Sequence, residues 1–241
     1  GIAFFPKDST LLIAREADNR IVEYGMNGRL TGWELAIPSV FSTATPAYSF
    51  EALTYNALTH RFWTTSESTL KTDGEQTNAT NHVKNKLRFQ SFDDSFTPRE
   101  QYAYLMDAAE NQASASNYAM GVPAMTALDN GRLLVLEREF LVTSSKIGSF
   151  VENKIYCVDP VGSVAINQER GLDSDSPYMQ KVLIATWKTS LGLLRQNLAN
   201  YEGMCLGPRL ADGSQVIVLC ADSQDQYGGV LRDWFRTVII R

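Results

Sequence analysis

The sequence contains few of the residues on which most catalytic motifs depend: three cysteines and two histidines among 241 residues. The three cysteines lie in apolar, strand-like stretches without CxxC spacing, so they offer neither a disulfide framework nor a zinc motif. A Ser-His-Asp triad would have to use one of the two histidines. His60 lies in a predicted turn and His82 in a polar segment, where solvated side chains are the ordinary expectation. The chemistry of this chain is therefore expected to depend on other groups.

Nucleophile and nucleotide motifs are scarce as well. The sequence has no GxSxG, no GxGxxG after a strand and no GKS/T loop. Gly203–Gly207 has GxCxG spacing, but a nucleophile elbow requires a strand that turns into a helix. Pro208 and a further strand follow here instead. Asp173 and Asp175 alternate like calcium ligands, without the Gly and Glu positions of an EF-hand.

Long apolar runs and excess positive charge are also missing. The longest purely apolar run is Val216–Ala221, far shorter than the ~20 residues of a membrane-spanning helix. The net charge of -5 argues against a nucleic-acid partner or an anionic membrane surface. A hydrophobic content of 44% is enough to fill a core. We therefore expect one domain over residues 1–241.

What the sequence does contain is a pattern that recurs four times: strand, turn, strand, acid. Each copy begins at a small residue, and its second strand ends at an acid. The small residues are Gly1, Ala52, Ala124 and Gly203, and the acids are Glu16, Glu67, Glu137 and Asp222. Alternation and turn residues predict four strands in each of the first three units and three in the last. Repeated four-stranded antiparallel units predict an all-β fold, the β-propeller.

The two ends of the repeat suggest that the ring is larger than this chain. No spare strand precedes Gly1, and the last unit has only three strands. We therefore expect the chain to be the C-terminal part of a ring of about six blades. Two local expectations accompany this fold. The polar segment Ser68–Asn85 is predicted to be a long mobile loop, and the 3-4 spacing of leucines over Leu191–Leu198 predicts a short amphipathic helix.

Equivalent positions of successive blades surround the central axis, so the four acids are expected to form a ring at the channel mouth. Converging carboxylates repel each other unless a cation neutralises them. Oxygen-only ligand sets favour Ca²⁺, and such an ion could bind phosphate and activate water. Arg15 and Arg138, each beside an acid, are candidate substrate-binding residues. The alternative for each acid is structural, a turn cap or an ion pair with a neighbouring arginine.

Three stretches resemble one known family: Phe50–Leu53 with Thr65–Glu67, Gly131–Arg138 and Tyr201–Pro208. They resemble the phytase-like domain, the "esterase-like activity of phytase", over the whole length. The resemblance implies a propeller in a secreted or periplasmic bacterial protein that hydrolyses phosphate or carboxyl esters. Pro123-Ala124 departs from the Glu-Gly pair found at Glu202-Gly203.

Two function classes follow from these observations. In the first, the chain is a hydrolase of a small-molecule ester or phosphate ester, assisted by Ca²⁺. Its candidate residues are Glu67, Glu137 and Glu202 for catalysis, Arg15 and Arg138 for substrate, and Glu16, Glu67, Glu137 and Asp222 for the metal. In the second, the chain is a non-catalytic propeller that binds a glycan, a peptide or a partner protein. Carboxylates clustered around an ordered ion in the channel favour the enzyme, whereas a channel plugged by aromatic side chains favours the binding protein.

Overall fold

The structure is a computed structural model that describes residues 1–110 and 115–241. It contains four antiparallel sheets, and each is built from strands that follow one another along the chain. The first is β1 (Ile2–Phe5), β2 (Thr10–Arg15), β3 (Arg20–Gly25) and β4 (Leu30–Glu34). The second is β5 (Phe50–Asn56), β6 (Arg61–Ser66), β7 (Lys86–Phe92) and β8 (Pro98–Leu105). The third is β9 (Asn117–Ala127), β10 (Leu133–Val142), β11 (Phe150–Val158) and β12 (Lys181–Ser190). The fourth is β13 (Tyr201–Arg209), β14 (Gln215–Ala221) and β15 (Phe235–Ile240).

Helical structure in the described ranges is short. The α-helix α1 spans Tyr227–Val230, and 3-10 turns occupy Glu16–Asp18, Ser39–Thr43 and Lys71–Asp73. No helix within residues 1–110 and 115–241 is long and apolar enough to cross a membrane.

The four sheets are the blades of a β-propeller, as the repeat predicts. The first strand of each blade is innermost, since β5 contacts β1 and β9, and β9 contacts β13. Apolar side chains fill the spaces between adjacent blades: Phe5, Phe50 and Phe62 between blades 1 and 2, Phe89, Met125 and Val135 between blades 2 and 3, and Leu134, Ile155 and Ile217 between blades 3 and 4. Burial of these side chains is the dominant attraction between the sheets.

A β-bulge interrupts the inner strand pair of three blades. In blade 2 the register shifts between Phe50 and Ala52, so Glu51 is the extra residue. In blade 4 the shift between Tyr201 and Gly203 leaves Glu202 as the extra residue. A bulge bends the strand and re-aims the extra side chain. In the pairs Glu51-Ala52 and Glu202-Gly203, which we call the Glu-small pairs, the Glu side chain is thereby turned out of the regular side-chain alternation of its strand.

The expectation of a mobile loop over Ser68–Asn85 is wrong. Asn85 is fully buried, and its Oδ1 accepts hydrogen bonds from Ser68 Oγ (3.1 Å), Thr69 Oγ1 (3.0 Å) and the Thr77 N–H (2.9 Å). Its Nδ2 donates to the Met120 carbonyl of blade 3 at 2.7 Å. The hydrogen bonds of the polar segment Ser68–Asn85 are thus made to the buried side-chain amide of its own Asn85. The segment is ordered and covers blade 2.

The expectation of a helix over Leu191–Leu198 is also wrong. Leu191 and Gln196 instead form an isolated antiparallel bridge. Leu193 is 81% exposed and Leu194 is 99% exposed, so the leucines do not share one buried face. Without such a face, a short helix lacks the packing that would stabilise it.

Candidate active site

Strand register identifies one equivalent position on the second strand of each blade. The small residues of the inner strands lie opposite Ala14, Thr65, Leu136 and Cys220. Two residues further along the second strand are Glu16, Glu67, Arg138 and Asp222. We call these four residues the ring positions. In blade 3 the same count from Leu136 gives Arg138 rather than the predicted Glu137.

Arg138 is the buried cation of this cluster. It is 3% exposed, and one Nη donates to Oε1 of Glu67. The other Nη donates to Asn200 Oδ1 at 3.2 Å and lies 3.7 Å from Glu202 Oε1. A guanidinium with two carboxylates and an amide acceptor is well paired. Arg138 therefore neutralises part of the negative charge that the bulge and ring acids bring together.

Three carboxylates remain close enough to share a cation. One carboxylate oxygen from each of Glu16, Glu51 and Glu67 lies within 4.8 Å of the others. Burial and the neighbouring Glu67 raise the pKa of Glu51 to about 8. Burial also raises the pKa of Glu67, against the attraction of Arg138. Burial is the largest cause of both pKa shifts, and the neighbouring carboxylates add to it. A bound hard cation would favour the ionised forms.

The central cavity opens beside this cluster and has a volume of about 400 Å³. Glu51, Glu202 and Asp222 line its wall, together with apolar side chains such as Leu53 and Met125. No aromatic side chain belongs to that lining among the residues that the structure describes. The described wall of the cavity is thus made of carboxylate and apolar side chains.

Blade 4 supplies the second acidic pair. Glu202 Oε1 accepts a hydrogen bond from Asn200 Nδ2 at 2.7 Å, and burial raises its pKa against the attraction of Arg138. Asp222 is exposed and accepts from the Gln224 N–H at 2.7 Å through Oδ1. Glu202 is thus a half-buried acid that faces the cavity, and burial raises its pKa above the ordinary value. A carboxyl placed in this way is a candidate for proton transfer.

Comparison with known proteins now identifies the family. The family model described as "Phytase-like: Esterase-like activity of phytase" matches residues 1–224. The chain belongs to the phytase-like family. At the level of the family, membership indicates an esterase-like or phosphatase-like hydrolase. No curated protein matches the chain. The match does not bear out the expectation that the chain is the C-terminal portion of a larger ring.

Glu137 of this phytase-like chain lies apart from the cluster, contrary to the sequence-based expectation. Its Oε1 accepts from Tyr104 Oη at 2.5 Å and from Lys181 Nζ at 2.6 Å. Its Oε2 accepts from the Asp107 N–H at 3.1 Å. Consecutive residues of a strand face opposite sides of the sheet, so Glu137 and Arg138 cannot share a site. Glu137 belongs to a polar network between blades 2 and 3.

The remaining candidates also lie apart. Arg15 pairs with Asp18 at 2.7 Å, so the structure does not bring it to Arg138. His60 Nδ1 lies 2.8 Å from Asp94 Oδ2, in the β5–β6 turn at the opposite end of these strands from the ring position. In the loop around Asp173, that carboxylate accepts hydrogen bonds from nearby backbone and hydroxyl groups.

Asn200 of the phytase-like chain is the contact that sequence reasoning missed. It precedes β13 without a motif of its own, and an asparagine before a strand ordinarily indicates a turn. Glu51 is also missing from the residues that the sequence proposes for the site. The signal that would have placed it at the site is the Glu-small pair that it shares with Glu202, since both pairs form a bulge.

Proposed function

We propose that this chain hydrolyses phosphate or carboxyl esters at the central cavity, assisted by a divalent cation, Ca²⁺ in the first instance. The observation that carries the proposal is the convergence of Glu16, Glu51 and Glu67, with oxygens within 4.8 Å of one another. The cluster stands beside a cavity of about 400 Å³ in a chain of a hydrolase-like family. As the family resemblance implies, we place this activity outside the bacterial cytoplasm.

The cation would act on the substrate and on the site. Carboxylate oxygens are the ligands that Ca²⁺ prefers. Its positive charge would favour the ionised form of Glu51, whose pKa is raised to about 8 in its absence. A bound divalent ion polarises a phosphoryl or carbonyl oxygen and lowers the pKa of a bound water. An anionic substrate could then approach a wall that otherwise carries negative charge.

The protein residues would have separate roles. Glu202, which lines the cavity, would transfer the proton between water and the leaving group. Arg138 is buried and bound to Glu67 and Asn200, so we propose that it keeps Glu67 ionised rather than binding the substrate directly. Asp222, exposed at the rim, would be an outer ligand for the cation.

The test uses phytate, p-nitrophenyl phosphate and p-nitrophenyl acetate, each with Ca²⁺ and with a chelator. Glu67→Gln and Glu51→Gln should weaken Ca²⁺ binding and lower turnover together. Glu23→Gln is the matched control for Glu67→Gln, because Glu23 is as buried as Glu67 but is bound to Thr10 and Thr31 within blade 1. This control should change neither quantity.

The proposal fails if no divalent metal supports turnover of these esters and thermal melting does not respond to Ca²⁺. That outcome would favour the alternative, a propeller that binds a glycan, a peptide or a partner protein. If turnover persists with the chelator and in Glu67→Gln, the hydrolase activity is supported and the role of the cation is refuted.

A further inference from the structure

We propose that Asn200 is a positioning residue of this site, an inference that rests on the proposed function. Asn200 is fully buried and contacts three residues of the cluster. Its Oδ1 accepts from Arg138 at 3.2 Å, and its Nδ2 donates to Glu202 at 2.7 Å. Its backbone carbonyl accepts from the Asp222 N–H at 2.8 Å. Through its side chain and its backbone carbonyl, Asn200 therefore links Arg138, Glu202 and Asp222.

The same position recurs in blades 2 and 3, with a different residue in each. Ser49 precedes the inner strand of blade 2, and its carbonyl accepts from the Glu67 N–H at 2.7 Å. In blade 3 the corresponding residue is Gly121, which pairs opposite Arg138. A Cβ at Gly121 would lie 2.4 Å from the Glu67 carbonyl oxygen. The residue at this position in blades 3 and 4 thus lies against the ring residue of the preceding blade.

This geometry explains why an amide suits blade 4. The preceding ring residue is Arg138, a donor, and the adjacent bulge residue is Glu202, an acceptor. An amide presents one acceptor and one donor group, so it satisfies both without adding charge. Arg138 Nε already has no hydrogen-bond partner among the described residues. Loss of the Asn200 bond would leave this buried guanidinium with a further unsatisfied donor.

The test compares two variants that make the same chemical change. Asn200→Asp keeps the oxygen that faces Arg138 and replaces the amide that donates to Glu202. Asn56→Asp is the matched control: Asn56 is also buried, and its Nδ2 donates to the Leu128 carbonyl at 2.7 Å. Its Oδ1 accepts two backbone N–H groups. It lies at the end of β5 opposite the cavity.

Two readouts separate the roles. Nitrogen-15 NMR of the Arg138 guanidinium reports its hydrogen bonds without any turnover, and kcat and KM report the reaction. Losing a hydrogen bond to a charged partner should lower kcat at saturating Ca²⁺ by about tenfold or more in Asn200→Asp. KM should change little, because Asn200 does not line the cavity. Asn56→Asp should keep the wild-type kcat even if its melting temperature falls equally.

If Asn200→Asp does not fold, Asn200→Ser provides the second variant, with one hydroxyl that can serve only one partner fully. The positioning role is overturned if either folded variant retains the wild-type kcat. It is also overturned if Asn56→Asp loses kcat to the same extent, since the loss would then reflect stability alone. Absence of turnover in the wild type would refute the proposed function, while altered Arg138 signals confined to the Asn200 variants would still support the positioning.

Discussion

Replacing Arg138 by leucine should make the stability of this protein strongly dependent on pH. The change removes the guanidinium that binds Glu67 and lies 3.7 Å from Glu202. Glu67 is 2% exposed and would be left as a buried carboxylate beside other acids. Breaking a buried ion pair in this way costs about 3–5 kcal/mol when the remaining charge persists.

The sign of the pH effect follows from protonation. The pKa of Glu67 is already raised by burial, and losing Arg138 raises it further. A group whose folded pKa is raised stabilises the folded protein below its unfolded pKa, and that stabilisation is lost as the pH rises through the folded pKa. At pH 5 Glu67 would bind a proton, and most of the penalty would disappear. At pH 8 a larger part of the penalty would remain.

The assay is urea unfolding of the wild type and Arg138→Leu at pH 5 and pH 8, in the presence of a chelator. We expect the variant to lose about 1 kcal/mol more, relative to the wild type, at pH 8 than at pH 5. The difference is no larger because Glu67 of the wild type, whose pKa burial raises to about 7, already loses stability over this range. Arg138→Leu combined with Glu67→Gln should recover part of the loss at pH 8, because it removes the unpaired charge. Equal losses at both pH values, or a double variant no more stable than Arg138→Leu, would refute the reasoning.

Three further predictions test the same geometry. In the wild type without a cation, the free energy of unfolding should fall between about pH 4.5 and 8 as Glu51 loses its proton, by at most about 5 kcal/mol. The slope of this free energy against pH, measured by denaturation, should be smaller in Glu51→Gln and in the presence of Ca²⁺. Gly121→Ala should destabilise the fold by about 1–3 kcal/mol, because the new Cβ would meet the Glu67 carbonyl at 2.4 Å; Gly162→Ala, whose Cβ meets nothing closer than 3.6 Å, should not. Glu137→Gln should lower the melting temperature and leave Ca²⁺ affinity and turnover unchanged. If this variant loses as much Ca²⁺ binding as Glu67→Gln does, Glu137 belongs to the site after all.

Local pattern was sufficient to predict the propeller. Alternating β-formers bounded by turns such as Asn27-Gly28 and Asp212-Gly213 specify strands within a few residues, and the recurrence of Glu-small pairs specifies blades. Both depend on interactions near in sequence. The same local reasoning failed over Ser68–Asn85, where the partner that orders the loop is Met120 of another blade. A contact across blades leaves no periodic trace in either segment.

The sequence by itself determined that acids would meet at the centre, since Glu16, Glu67 and Asp222 end equivalent strands. Only the tertiary structure decided that Arg138 takes the fourth position and Glu137 does not. The reason is strand pairing: Leu136 lies opposite the small residue Ala124, so the equivalent position two residues on is Arg138. The alternation of side chains along β10 places Glu137 on the other face. A sequence does not show which of the adjacent residues 137 and 138 faces the centre. In the structure, the strand register places the carboxylate of Glu137 in a polar network between blades and the guanidinium of Arg138 among the acids.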